Sequence, residues 1–289
     1  MIRQSMAVIG ATSLVGHYLL PRAQQTGYRV LALSRYAHAV EPGMDWRVFD
    51  SSRNRLHEVL DRDVSTLVHL APLPHFIALN SNLHETSIKR VVALGTTSVI
   101  MKNKSKHEFD RRLVADQLHA EENFIDYCAS NNIEWTLLRP TMVYDGVRDK
   151  NIALMAGFMK RYGVFPLLSK TRGLRQPLHA DDLADACMRV VENERTFSHT
   201  YNLGGGECLD FEAIARYIFR RLDKTPRFLR LPEGLLRLLL GIARIHPRWR
   251  SVSPSAIERL KQDMTIDYSQ AANDFGFMPG MFRIVYPRN

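Results

Sequence analysis

Six short apolar runs punctuate the first half of the chain, at 6–9, 29–33, 46–49, 66–70, 91–94 and 135–138. Each is continuous rather than alternating, and helical or polar stretches separate them. Continuous runs of this length suit strands covered on both faces, so the pattern predicts a parallel sheet wrapped by helices. The longest helix is predicted over 107–130. Ser105 and Glu108 have capping-box spacing at its start, and Val114, Leu118, Ile125 and Cys128 fall on one face. Asn131-Asn132 closes it before the sixth run. The reading is an α/β fold, a doubly wound parallel sheet.

The second half is less regular. Helices are predicted near 151–162, 182–193, 211–222, 233–245 and 254–262, with extended pieces near 199–203 and 226–229. The expected division is a dinucleotide-binding domain over 1–145, with return segments near 176–203. A smaller, mostly helical and discontinuous substrate lobe takes up 146–289.

Composition changes this picture in only two places. The 289 residues are 45% hydrophobic and 24% charged, which excludes a disordered or collagen-like chain. Cys128, Cys187 and Cys208 form no close pair, so neither a disulfide framework nor a zinc site is expected, and a reducing, cytoplasmic location fits. The apolar start around residues 6–20 is broken by Gly10, Ser13, Gly16 and His17, and is read as strand, turn and helix rather than a signal peptide. No run is long enough to span a bilayer. The net charge of +9 is concentrated: residues 216–250 hold ten Lys or Arg against Asp223 and Glu233. A solvated face is the plainer reading of that block, and no nucleic-acid partner is expected. The apolar stretch at 232–245 has some character of a membrane-surface helix, but a core or lid helix is the expected role.

The sharpest motif is Gly10-Ala-Thr12-Ser13-Leu14-Val15-Gly16, directly after the first run. A glycine there permits a tight turn and close backbone approach to a diphosphate, and the following helix presents free N–H groups and its positive dipole end. The second run ends in Ser34-Arg35, 18 residues after Gly16, where an acid would be needed to hold the ribose 2′-hydroxyl of NAD. Serine and arginine suit a 2′-phosphate instead, so NADP(H) is preferred over NAD(H).

These features, with several further motifs, resemble the extended short-chain dehydrogenase/reductase superfamily, the NAD-dependent epimerase/dehydratase family. Val68-His69-Leu70-Ala71 resembles its V-x-H-L-A, and Leu138-Arg139-Pro140-Thr-Met-Val-Tyr144-Asp-Gly its L-R-P-x-x-V-Y-G. Arg175-Gln-Pro-Leu-His179-Ala-Asp-Asp182 resembles R-x-x-x-H-x-x-D; Tyr201-Asn-Leu-Gly and the Asp267-Tyr-Ser…Phe275-Gly-Phe tail also match. The resemblance implies a Rossmann fold. It implies cofactor contacts from Gly10 to Gly16, at Ser34, Arg35 and Asp50, and at Leu70, Ala71 and Pro72. It implies a reacting oxygen polarised by Thr96 and a nucleotide-sugar or similar anionic small molecule held by Thr97, Tyr144 and Arg175.

Two departures stand against it. The family's Tyr-x-x-x-Lys pair, in which lysine lowers the tyrosine pKa, counts back to Leu113 and Gln117. None of the ten tyrosines has a lysine four residues later. His69, His75, His84, His107 and His119 remain as candidates for acid–base work. The second departure is a deletion: only residues 72–89 lie between the fourth and fifth runs, where the family places a long helix of its dimer interface. A monomer or an atypical dimer is therefore expected. The function read from the sequence is an NADP(H)-dependent oxidoreductase or epimerase with a non-standard base. The alternative is a protein that binds NADP(H) without turnover, in a structural or redox-sensing role.

Overall fold

The computed structural model describes residues 4–39, 43–79, 83–102, 105, 107–169, 173–243, 245 and 256–284. In chain order the strands are β1 (Ser5–Ile9), β2 (Arg29–Ser34), β3 (Met44–Val48), β4 (Val64–His69), β5 (Arg90–Leu94), β6 (Glu134–Pro140), β7 (Val143–Tyr144), β8 (Phe165–Leu168), β9 (Leu174–Arg175), β10 (Leu178–His179), β11 (His199–Leu203), β12 (Leu209–Asp210) and β13 (Phe228–Leu231). The helices are α1 (Gly16–Gln25), α2 (Leu56–Val59), α3 (Ser98–Met101), α4 (Glu108–Ser130), α5 (Ile152–Tyr162), α6 (Ala180–Val191), α7 (Phe211–Arg221), α8 (Glu233–Ala243), α9 (Ala256–Arg259) and α10 (Ser269–Phe275).

Two compact units result. The first gathers the chain up to Thr141, Ala180–Leu203 and Asp267–Pro279. Its seven strands form one sheet in the order β11-β6-β5-β4-β1-β2-β3. Every pairing in the sheet is parallel. All six apolar runs became strands. The inner ones are buried on both faces, with Met6, Ala7, Val8, Val30, Leu31, Val91 and Val92 wholly inaccessible, whereas β3 at the sheet edge is only partly covered and Val48 is 51% exposed. The second unit holds Met142–His179, Gly204–Ile266 and the chain from Gly280. Its core joins α5 and α7 through Ile152, Met159, Ile214, Ile218 and Phe219, with Phe282 and Ile284.

The structure moves several expected features. The first unit ends at Thr141 and resumes at Ala180, rather than at 145 and 176, and it takes in Asp267–Pro279, which the sequence assigned to the second lobe. The reason is local. Asp274 on α10 accepts the Tyr201 hydroxyl at 2.9 Å, and Phe275 packs edge-on to the Tyr201 ring. The capping box on α4 does not form. Ser105 donates to the Asp110 carboxylate at 3.0 Å, and the cap position falls to His107, whose side chain makes no capping hydrogen bond. Leu118 is 39% exposed; the buried face runs through Val114, Ala120, Glu121, Phe124 and Cys128. Residues 72–89 form two short 3₁₀ turns, Leu73–Leu79 and Leu83–Glu85. Leu73, Phe76, Leu79 and Leu83 join the sheet's core there, and Phe76 meets Phe124 edge-on at 4.9 Å. Of the basic block, Arg244, Arg248 and Arg250 lie outside the described residues.

Candidate functional site

The site is built at the carboxyl ends of β1, β2, β4 and β5. In a sheet of this order, the crevice opens beside β1 and β4, where the connections reverse direction.

Gly10 leaves β1 with φ of 79°, and a Cβ there would stand 2.8 Å from the Ala71 nitrogen. Glycine is thus required twice, for the left-handed backbone and for the approach to the end of β4. Gly16 is tighter: a Cβ would lie 2.2 Å from the Ala11 carbonyl oxygen. Ser13 supports the turn internally. Its N–H donates to the Gly10 carbonyl at 2.9 Å, and its hydroxyl accepts the Gly16 N–H at 3.1 Å. The N–H groups of Thr12, Leu14 and Val15 donate to no acceptor among the described residues. Three unsatisfied donors on a turn at a helix N-terminus form a cradle for an anion. This geometry fits the diphosphate of a dinucleotide.

At the end of β2, Ser34 is buried, and its hydroxyl accepts the Tyr36 N–H at 3.2 Å. Arg35 is exposed, lies 6.0 Å over the Tyr36 ring, and has no hydrogen bond or ion pair among the described residues. Its charge reaches Asp50. That carboxyl is held below its usual range first by the Ser52 hydroxyl and N–H, then by Arg53 and Arg35. The sequence reading missed His38. Its Nε2 is 3.0 Å from the Ser34 hydroxyl, and its ring stacks on Trp46 at 4.0 Å. Nothing in the spacing marked this pairing, because it depends on β3 lying beside β2 with Trp46 opposite Ala32.

Beyond β4, Leu70 is buried, Ala71 is half-buried and Pro72 is exposed. His69 is wholly buried, and neither ring nitrogen has a partner among the described residues. Burial, helped by the His75 charge, pushes its pKa down to about 3. It is a neutral packing group against Phe76, not an acid–base residue at neutral pH. Beyond β5, Thr96 accepts the Ser98 N–H on its hydroxyl at 3.1 Å. Its own hydroxyl proton stays available to donate.

Three residues expected to hold substrate are turned to other work. Thr97 is 2% exposed, and its hydroxyl donates to the Pro140 carbonyl at 3.1 Å. Tyr144 is 1% exposed; its hydroxyl accepts the Arg283 N–H at 2.9 Å, and its ring stacks on Phe282 at 4.8 Å. Arg175 is buried, with its guanidinium donating to the carbonyls of Leu174 at 2.7 Å, of Gln262 at 2.8 Å and of Arg259. Burial and the Arg259 charge lower its pKa to about 10, so it stays charged at neutral pH. Asp181 takes Arg22 within the first unit. The carbonyls of Pro140, Leu174 and Arg259 also accept the N–H groups of Thr97, Met264 and Gln262, so there the side chain fills the second lone pair of a carbonyl that is already bonded. Arg139 is likewise structural. Its Nε donates to both Glu121 oxygens at 3.0 and 3.1 Å, and a Cβ on Gly95 would stand 2.6 Å from that carboxylate. The described residues contain no cluster suited to a metal ion.

Comparison with known proteins agrees with this architecture. The "NADH dehydrogenase [ubiquinone] 1 alpha subcomplex subunit 9, mitochondrial" of Arabidopsis thaliana is 29% identical over 108 residues, 37% of this chain. The chain covers only 26% of that subunit's length. UDP-glucose 4-epimerase of Vibrio cholerae is 18% identical, over 96% of this chain and 91% of its own. Among solved structures, a UDP-glucuronic acid 4-epimerase from Bacillus cereus, in complex with UDP-glucuronic acid and NAD, superposes with a TM-score of 0.71. It is 13% identical, over 96% of this chain and 95% of its own, a likeness of fold. Residues 6–101 and 77–204, which include the whole seven-stranded sheet except its first residue, match one family, and the chain belongs to it: the NAD dependent epimerase/dehydratase family.

Proposed function

We propose that this protein holds a nicotinamide dinucleotide in the Gly10 turn, NADP(H) in preference to NAD(H), and acts as an epimerase-like oxidoreductase. The observation that carries the reading is the set of unpartnered N–H groups at Thr12, Leu14 and Val15, in a turn that only glycine at positions 10 and 16 permits. The diphosphate would rest on these groups. Ser34 and the unpaired guanidinium of Arg35 would take the 2′-phosphate, which suits a bidentate fork. Asp50 would face the adenosine end, and Leu70, Ala71 and Pro72 would line the nicotinamide side. The cofactor supplies hydride chemistry when bound. The protein's part is to orient it and to donate from Thr96 to a reacting oxygen.

The substrate class proposed is a nucleotide-sugar or similar anionic small molecule, in line with the epimerases that share the fold. Leu113 and Gln117 move no protons, so the acid–base group must be another residue. A second reading, cofactor binding without turnover, is favoured by the capture of Thr97, Tyr144 and Arg175 in structural hydrogen bonds.

Titration of the protein with NADPH and NADH, followed by reduced-nicotinamide fluorescence, tests the first claim. NADPH should bind about tenfold more tightly, and Arg35→Asp should abolish that preference, a change of at least about 1.4 kcal/mol. Equal or tighter NADH binding removes the role of Arg35, and binding of neither cofactor removes the reading altogether. Turnover is then sought as a substrate-dependent change in nicotinamide absorbance. Loss of that change in Thr96→Val supports the enzyme reading. Cofactor binding with no change for any nucleotide-sugar supports the second.

A further inference from the structure

His38 lies outside the Ser34-Arg35 pair at the end of β2, yet its ring bonds the buried hydroxyl of that pair. The ring rests on the half-buried indole of Trp46, with centroids 4.0 Å apart and planes 21° apart. Trp46 belongs to β3 and stands opposite Ala32 of β2, so the sheet register holds the stack in place. Nε2 is thereby set 3.0 Å from the Ser34 oxygen. Among the described residues, Ser34 is the hydrogen-bond partner that bears on which ring nitrogen carries the proton.

The Ser34 hydroxyl then has two possible arrangements. It owns one proton and two lone pairs, and the Tyr36 N–H takes one lone pair. If Nε2 is bare, it accepts the Ser34 proton, and the hydroxyl has only a lone pair left to offer. If Nε2 carries hydrogen, it donates into the second lone pair, and the Ser34 proton is free to be donated outward. A phosphate dianion has acceptor oxygens only, so the second arrangement alone serves it. A ribose 2′-hydroxyl both donates and accepts, so either arrangement serves it. The state of the imidazole therefore discriminates between a phosphorylated and a free ribose, although the ring need touch neither.

We propose that His38 is a positioning residue for the 2′-phosphate of the dinucleotide: held against Trp46, it donates Nε2–H to Ser34 and so turns the Ser34 proton towards a phosphate oxygen, beside the guanidinium of Arg35. This role rests on the NADP(H) reading of the site and adds to it a residue that lies beyond the Ser34-Arg35 pair.

The test is fluorescence titration of the full chain with NADPH and with NADH, in the wild type, Arg35→Asp, His38→Phe, Ser34→Ala and the double variant Ser34→Ala with His38→Phe. His38→Phe keeps a ring on Trp46 and loses the donor; His38 is exposed, so the melting temperature should not change. NADPH should bind this variant about tenfold more weakly, while the Kd for NADH moves by less than about twofold. Ser34→Ala should weaken NADPH by a similar factor, and adding His38→Phe to it should cost less than about twofold more, because the histidine acts through the serine. A displaced Arg35 would still cost affinity in the Ser34→Ala background. Equal weakening of both nucleotides in His38→Phe would make the histidine a mere support of the loop and overturn the proposal. Losses that multiply in the double variant would also overturn it. A preference for NADPH that is lost in Arg35→Asp but kept in His38→Phe would overturn this role alone. A wild-type protein with no such preference would overturn the NADP(H) reading and this role together.

Discussion

The Gly10 turn of the first unit and the Arg175 strand of the second carry equally recognisable motifs, yet they have opposite fates. In the turn, the groups offered to a ligand are backbone N–H donors at Thr12, Leu14 and Val15, and they remain open. In the strand, the group expected to bind is a side chain, and three carbonyls of its own unit have consumed it. The difference is physical. Backbone donors at a helix N-terminus have no intrahelical partner, whatever the neighbouring side chains are. A long, charged side chain beside an irregular segment bonds whichever carbonyl oxygens that segment brings within reach, including second lone pairs of carbonyls that already accept an N–H. A motif made of backbone is therefore safer to read as a binding site than one made of side chains.

The comparison is most open to breakage at Gly16. Gly16→Ala places a Cβ against the Ala11 carbonyl and should cost about 4 kcal/mol in urea unfolding, with NADPH binding lost. Retention of both would mean the turn is looser than described. Arg175→Leu should cost about 3 kcal/mol in stability by removing three charge-assisted hydrogen bonds from a buried site, with the NADPH Kd unchanged at a temperature where the variant is folded. A stable variant that loses only substrate-dependent turnover would restore the arginine to ligand binding.

A smaller effect comes from His69, which sharpens the comparison by showing a side chain the first unit keeps wholly unused. Its folded pKa of about 3 lies below its unfolded value of 6.5, so the unfolded chain binds the extra proton as pH falls through 6.5. Stability is therefore full above that pH and declines below it, by about 2 kcal/mol between pH 7 and pH 5. His69→Phe should flatten that part of the pH–stability profile. An unchanged profile in the variant would show that His69 is not the group responsible.

Much of this was legible beforehand. The apolar runs announced the sheet because its inner strands, buried on both faces, leave a continuous signal; β3 at the edge kept the signal although it is only partly covered. The Gly10 and Gly16 positions announced the turn because no other residue fits there. The capping box at Ser105 misled: the same hydroxyl found Asp110, a carboxylate on the first turn of α4 that competes with the backbone. Leu118 misled because a face drawn through Leu118 and Ile125 is rotated from the one that packing selected, through Ala120, Glu121 and Phe124. The stacking of His38 on Trp46 was invisible, since it joins residues on neighbouring strands.

By itself the sequence determined the α/β class, the strand–turn–helix at the start of the chain, the absence of a Tyr-x-x-x-Lys pair and the concentration of positive charge after residue 216. These are properties of local periodicity, of backbone sterics or of composition. Only the tertiary structure decided that Thr97, Tyr144 and Arg175 are bound inward, that Asp267–Pro279 belongs with the sheet, and that one side of α8 lies exposed. Those outcomes depend on which polar group or apolar surface a distant segment brings within reach, and sequence spacing does not encode that distance.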